Sequence, residues 1–196
     1  TAAVLEYSLK STDATWDYAK WLLLPNDGNR YEVIDGVLYM STAPGVRHQR
    51  CVVRLIEHVG LPLQARGVAL VVPAPVGVIM PGAEPVQPDI VLIRSERTSI
   101  IADDDRIRGV PDLIAEVLSP SNPELDTVVK LAAYARAGVP EYWIVRPATR
   151  DILLYTQPNI TAGLYEQELV VGPDDTLTSP TLPVSLPAAA LFDDVT

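Results

Sequence analysis

Residues 68–72, 76–80, 90–93 and 113–118 are four short runs rich in valine and isoleucine, each bounded by proline or glycine. Runs this short and apolar, punctuated by the two residues that interrupt regular structure, predict central strands of a sheet. Residues 142–145 predict another buried strand, and 152–155 and 166–171 two more. Between the fourth run and residue 142 the pattern changes. Asn122-Pro123 supplies an N-cap and a proline for the first helical position, Val128, Val129, Leu131, Ala132 and Ala135 follow, and Gly138 is the stop. A helix set between two strands in this way crosses over the sheet, so an α/β domain with a mixed sheet is expected.

The first third of the chain adds a helix and a hairpin. Thr12-Asp13 ahead of Trp16, Ala19, Leu22 and Leu23 predicts a capped amphipathic helix ending at Pro25. Residues 31–40 alternate about Asp35-Gly36, a strong signal for a β-hairpin with a two-residue turn. From 46 to 65 the apolar positions Val52, Leu55, Ile56 and Val59 recur at helical spacing, and that helix is expected to stop at Gly60 and Pro62. The Pro-rich segment 172–196 reads as a tail with a short turn around 188–192. No repeat or low-complexity linker divides the 196 residues, so one domain is expected, with its core over about 12–156.

No apolar run approaches the roughly 18 to 20 residues a membrane span needs, so no membrane crossing is expected. The first residues lack the basic, apolar and small-residue order of a secretory signal, and cytoplasmic residence is expected. Cys51, the single cysteine, lies in an apolar stretch and reads as a buried, inert thiol. The absence of a Walker loop, of GxGxxG and of GxSxG sets aside nucleotide-binding and serine-hydrolase chemistry, and no His or Cys spacing suggests zinc. The net charge of −10 works against a sequence-independent hold on nucleic acid, whose backbone is gripped largely by Lys and Arg. Arg47, Arg50 and Arg54 recur at spacings of three and four and would share one helix face, as a nucleic-acid contact or as an ordinary solvated face.

Two acids stand where acids are costly. Glu116 lies inside the apolar run 113–118, and Asp89 opens the run 90–93 directly after Pro88. A carboxylate within a buried strand must be paired or bound to a metal. Carboxylates from neighbouring strands suit Mg²⁺ or Mn²⁺, with water completing the coordination. The alternatives are a structural ion pair for Glu116 and a strand-start cap for Asp89. Lys130 lies inside the helix after Asn122-Pro123 with apolar Val129 and Leu131 beside it, which by itself describes a lysine whose stem is covered and whose head is solvated. His48 heads the second helix, as a phosphate contact, a proton shuttle or a helix-start cap.

The string Tyr31-Glu32-Val33-Ile34-Asp35-Gly36, then His48, Pro88-Asp89-Ile90, Glu116-Val117-Leu118-Ser119-Pro120-Ser121, Asp126, Lys130, Tyr134, Gly138-Val139 and Glu141-Tyr142-Trp143-Ile144-Val145 resembles the Uma-two family. That family is a bacterial group of endonuclease-like domains in the PD-(D/E)xK restriction-endonuclease-like superfamily, and the resemblance runs from about 31 to 147. It implies a mixed central sheet flanked by helices, Asp89 and Glu116 as ligands of Mg²⁺ or Mn²⁺, and Glu32 as a further acid at the site. The usual superfamily lysine follows the second acid by two residues; here that position is Leu118. Uma-two proteins look as though they draw the lysine from the following helix, which in this chain is Lys130.

The expected activity is therefore metal-assisted hydrolysis of a phosphodiester in nucleic acid, most simply DNA, by a homodimer. Lys130 would orient the attacking water or neutralise charge in the transition state. A catalytically silent binding module and a metal phosphoesterase with a small substrate are the two alternative readings.

Overall fold

The computed structural model describes residues 8–192; residues 1–7 and 193–196, the two ends of the expected 1–196 domain, lie outside them. Along the chain the strands are β1 (Ser8–Lys10), β2 (Arg30–Ile34), β3 (Val37–Ser41), β4 (Ala69–Pro73), β5 (Val78–Met80), β6 (Ala83–Val86) and β7 (Ile90–Arg94). Then come β8 (Ile107–Arg108), β9 (Leu113–Val117), β10 (Glu141–Arg146), β11 (Asp151–Asn159), β12 (Leu164–Val171), β13 (Thr176–Thr178) and β14 (Ser185–Pro187).

The apolar runs assemble into a mixed central sheet in the order β12-β11-β10-β9-β7-β4. Among the described residues its only parallel pair is β9 with β10, joined by the predicted crossover helix. The remaining neighbours pair antiparallel. That helix begins with a π turn (Leu125–Lys130) and continues as the last α-helix (Leu131–Ala137) to Gly138, whose φ of 82° closes it in the left-handed conformation glycine tolerates. The run 76–80 was expected in the central sheet and instead supplies β5 of a second sheet, ordered β1-β3-β2-β6-β5-β8. Its burial explains why. Val78 and Met80 are buried with Ile79 half-buried between them, the alternation of a strand covered on one face, whereas β9 is buried at every residue.

Side-chain parity divides the interior in two. Ile90, Leu92, Leu113, Ala115, Val117, Trp143 and Val145 face one way, against Cys51, Leu55, Val59 and Leu63 of the second helix region. Val91, Ile93, Ile114, Tyr142 and Ile144 face the other way, against the second sheet and the crossover helix residues Ala133 and Tyr134. Glu116 shares the parity of Ile114, so it emerges between the central sheet and the crossover helix.

The hairpin forms as predicted: Asp35 (φ 50°) and Gly36 (φ 76°) link β2 to β3. The N-terminal helix is only one turn, Tyr18–Trp21, and buries no residue; Asp17, not Asp13, caps it by accepting the Lys20 N–H at 2.9 Å. The second helix (Val46–Leu55) does not stop at Gly60 and Pro62. It passes through a π turn (Ile56–Gly60) into a further helix (Leu61–Ala65). The Leu61 N–H reaches back to the Ile56 carbonyl, and the widened turn accommodates the donor that Pro62 lacks. Gly60 is required for contact, not flexibility: a Cβ there would lie 2.5 Å from Val71 Cγ2 on β4. Gly60→Ala is expected to destabilise the protein by about 1–3 kcal/mol, because a β-branched strand residue has little room to yield; an unchanged denaturation midpoint would refute this contact.

The C-terminal segment is no loose tail. Leu177, Leu182, Val184, Ala188, Leu191 and Phe192 are buried against the central sheet, so the core extends well beyond the expected limit of residue 156. Glu141, fully buried at the start of β10, ties it down by accepting hydrogen bonds from Trp143 Nε1 (2.6 Å), Ser179 Oγ (2.6 Å), and the Thr181 N–H and hydroxyl.

Candidate active site

The register of the central sheet brings the two anomalous acids together. Ile90 pairs with Ala115 across antiparallel β7 and β9, and the same register sets Asp89 opposite Glu116. There the acids take over the ladder. The Asp89 N–H donates to Glu116 Oε2 at 3.2 Å, and the Val117 N–H donates to Asp89 Oδ2 at 2.8 Å. Carboxylates that accept backbone N–H bonds at the end of a strand pair are rigidly held.

Lys130 reaches the same spot from the helix. Its buried Nζ lies 2.9 Å from Glu116 Oε1, 3.1 Å from Glu32 Oε2 and 3.4 Å from Asp126 Oδ1. One turn on, the Tyr134 hydroxyl donates to Glu116 Oε1 at 2.9 Å. Glu32 arrives from β2 of the second sheet, its other oxygen accepting the Gln87 N–H at 2.7 Å. The cluster therefore joins both sheets and the crossover helix through one ammonium. Leu118, at the superfamily's usual lysine position, is half-buried against the same core as Tyr134.

Asp89 has its own cations. Arg30 Nη1 donates to Oδ1 at 2.9 Å, and His48 Nε2 lies 3.0 Å from Oδ2. His48 is buried and does not cap its helix; the N-cap residue there is Gly45. Its Nδ1 is 3.1 Å from Gln49 Oε1. Arg47 and Arg50 lie on the exposed side of that helix, while Arg54 is half-exposed and pairs with Glu57 at 3.2 Å. None of the three lines the cleft over the acids, which is bordered by Arg30, Thr42, His48, Ser119, Asn122 and Lys130.

The electrostatics follow from burial working against charge. Burial would raise Asp89, but the His48 hydrogen bond and the Arg30 charge outweigh it and hold the carboxyl below the usual range. Glu116 goes the other way. Burial, with Asp89 and other acids nearby, outweighs Lys130 and pushes it up to about 8. Asp126 is pushed up to about 6 by burial against the same ammonium. Burial works against the charge of Lys130, but Glu116, Glu32 and Asp126 overcome it and keep the side chain protonated. Arg30, Lys130 and His48 thus face four carboxyl groups, one of which, Glu116, is largely protonated at neutral pH.

Among the described residues no group of three or more His, Cys, Asp or Glu side chains forms a ready-made metal cage. The arrangement nevertheless fits a hard divalent cation. Mg²⁺ commonly takes one or two carboxylates from a protein and completes its shell with water and phosphate oxygens. Asp89 and Glu116 are such a pair, on adjacent strands at the floor of a cleft.

Arg30, not singled out in the sequence, is as close to Asp89 as any predicted residue. Its signal was parity: Arg30 and Glu32 share a face of β2 in a strand whose other charged positions are absent. Asp126 and Tyr134, one turn before and one turn after Lys130, were singled out only by the resemblance.

The family described as "Putative restriction endonuclease" (Uma2) matches residues 17–190. The structure is similar to the crystal structure of a "putative nuclease belonging to DUF820" from Anabaena variabilis ATCC 29413, with a TM-score of 0.73 and 18% sequence identity, over 90% of this chain and 97% of that one. No curated protein matched the chain.

Proposed function

Because the chain belongs to the Uma2 family, we propose that it is a metal-dependent endonuclease that hydrolyses phosphodiester bonds of nucleic acid, with Asp89 and Glu116 as the ligands of Mg²⁺ or Mn²⁺. The observation that most supports this reading is the facing of these two acids across β7 and β9 with Lys130 on Glu116. When bound, the ion would lower the pKa of a water and polarise a phosphate oxygen. Lys130, held protonated by three acids, acts as a fixed positive charge for the phosphoryl group rather than as a base. Glu32 and Asp126 position that ammonium, and His48 orients Asp89. Arg30, at the mouth of the cleft, is the group best placed to meet a phosphate.

Arg47, Arg50 and Arg54 are proposed to contact the nucleic-acid backbone beyond the cleft. Arg50→Ala is expected to reduce the salt dependence of DNA binding by about one unit of log–log slope; an unchanged slope would return this face to solvent. A homodimer would let two such sites cut opposite strands, and sedimentation of the purified protein tests it.

One observation favours the catalytically silent alternative: no buried side-chain N or O among the described residues lacks a partner, so the cluster is satisfied internally. Calorimetric titration with Mn²⁺ separates the readings. The wild type is expected to take up the ion, and Glu116→Gln to bind it at least about tenfold more weakly, as loss of a ligating group requires. A folded wild type that gives no binding heat would defeat the metal-dependent reading.

A further inference from the structure

Beside the acid cleft runs a much larger groove, and Arg30, Asp89, Thr42 and Pro44 line both. The cleft itself, at about 50 Å³, has room for water and one phosphate oxygen or two; the groove, at about 650 Å³, is the size of a small-molecule site. Apart from Asp89 at its mouth, the charged residues lining it are Arg30 and Arg106, in a chain of net charge −10. The groove wall is a stack. The Arg106 guanidinium lies over the Trp21 ring, 5.6 Å from its centroid, and Trp21 stacks on Tyr18 at 5.8 Å with an interplanar angle of 14°. The indole is fixed in turn by donating to the Tyr31 carbonyl at 2.8 Å. Planar aromatic and guanidinium surfaces beside positive charge are what unstacked nucleobases bind, whatever their sequence.

We propose that this groove is a subsite for an unpaired nucleoside of single-stranded nucleic acid, next to the phosphate held at the acids. It rests on the nuclease reading for the position of that phosphate and adds the state of the substrate: a strand that is single or locally opened. The nucleoside packs against the Trp21–Arg106 stack, and Arg30, shared by both spaces, spans the junction to the phosphate. A stacked duplex cannot present a base there.

The test uses the wild type, Trp21→Leu and Arg106→Gln. Trp21 lies in a one-turn helix that buries no residue, so its replacement leaves the core untouched. Binding of fluorescein-labelled hexathymidylate and of a labelled duplex long enough to stay paired at the assay temperature is measured in Ca²⁺, and hydrolysis of bis(4-nitrophenyl) phosphate in Mn²⁺. The wild type is expected to bind the single strand about tenfold more tightly than the duplex, and each variant to lose roughly five- to twentyfold in hexathymidylate affinity, the size of one lost stacking contact. Hydrolysis of the small diester, which has no neighbouring nucleoside, stays at the wild-type rate. Equal affinity of the variants and the wild type for hexathymidylate, or equal affinity for strand and duplex, overturns the subsite. A wild type that hydrolyses no diester yet binds hexathymidylate through Trp21 and Arg106 supports the subsite and overturns the nuclease reading instead.

Discussion

Lys130→Met is expected to damage folding and activity together. The ammonium is 2% exposed and lies between Glu116, Glu32 and Asp126, three acids that are themselves buried. Removing it leaves those carboxyls without a counter-charge, a change that ordinarily costs about 3–5 kcal/mol. Protonation of Glu116, already pushed up to about 8, offsets part of this, so a loss near the lower end is expected on denaturant unfolding. If the variant is kept folded at low temperature, nuclease activity should still fall by about 10²–10³, the range for losing one preorganised electrostatic stabiliser. The double variant Leu118→Lys with Lys130→Met puts the charge back on the strand two residues after Glu116, on the same face. It should recover part of the activity if the half-buried site accepts the ammonium. Full activity in a folded Lys130→Met protein would remove Lys130 from the mechanism.

The second large effect is at Asp89. Asp89→Asn is nearly isosteric, but an amide offers one acceptor where the carboxylate offers two, while Arg30, His48 and the Val117 N–H all donate to this group. One donor is left facing an NH₂, a penalty of about 1–3 kcal/mol in stability. The expected effect on Mn²⁺-dependent DNA cleavage is far larger, a fall to background, because a neutral amide is a poor ligand for a hard cation. The two readouts must be taken together. If Asp89→Asn and Glu116→Gln proteins both cut DNA at the wild-type rate, the reaction centre lies elsewhere.

Asp89 and Glu116 were legible in the sequence because an acid in an apolar run has no cheap explanation. Lys130 was not legible in the same way: a lysine on a helix is ordinary, and only the resemblance singled it out. What sequence reasoning could not supply was the second sheet as a unit: the hairpin β2–β3 and the run that holds β5 were expected as strands, but nothing set their pairing through β6. Its strands are short, β6 carries Pro85, and β5 has three residues, so periodicity had little length over which to build. Without that sheet, Glu32 had no partner and Arg30 no reason to be noticed, since both reach the cluster from it. The helix through Gly60 and Pro62 was misread for a local reason: the rules for breakers assume i to i+4 bonding, and a π turn relaxes them.

The other π turn, at Leu125–Lys130, has a consequence for how the chain tolerates change in length. A π turn is an α-helix carrying one residue too many, which the widened turn absorbs so that the two halves of the crossover helix stay nearly in phase. Asp126 sits within the turn, while Lys130 closes it and hands over to Tyr134 in regular helix. Substitution at an outward position such as Val128, 59% exposed, leaves that phase alone. Deletion of the same residue would close the wide turn into ordinary helix and leave Asp126 three residues before Lys130, still on its side of the helix. Homologous chains that conserve this cluster should therefore vary freely in side chain at such positions and can differ by one residue between Asn122 and Lys130, with ordinary helix in place of the π turn.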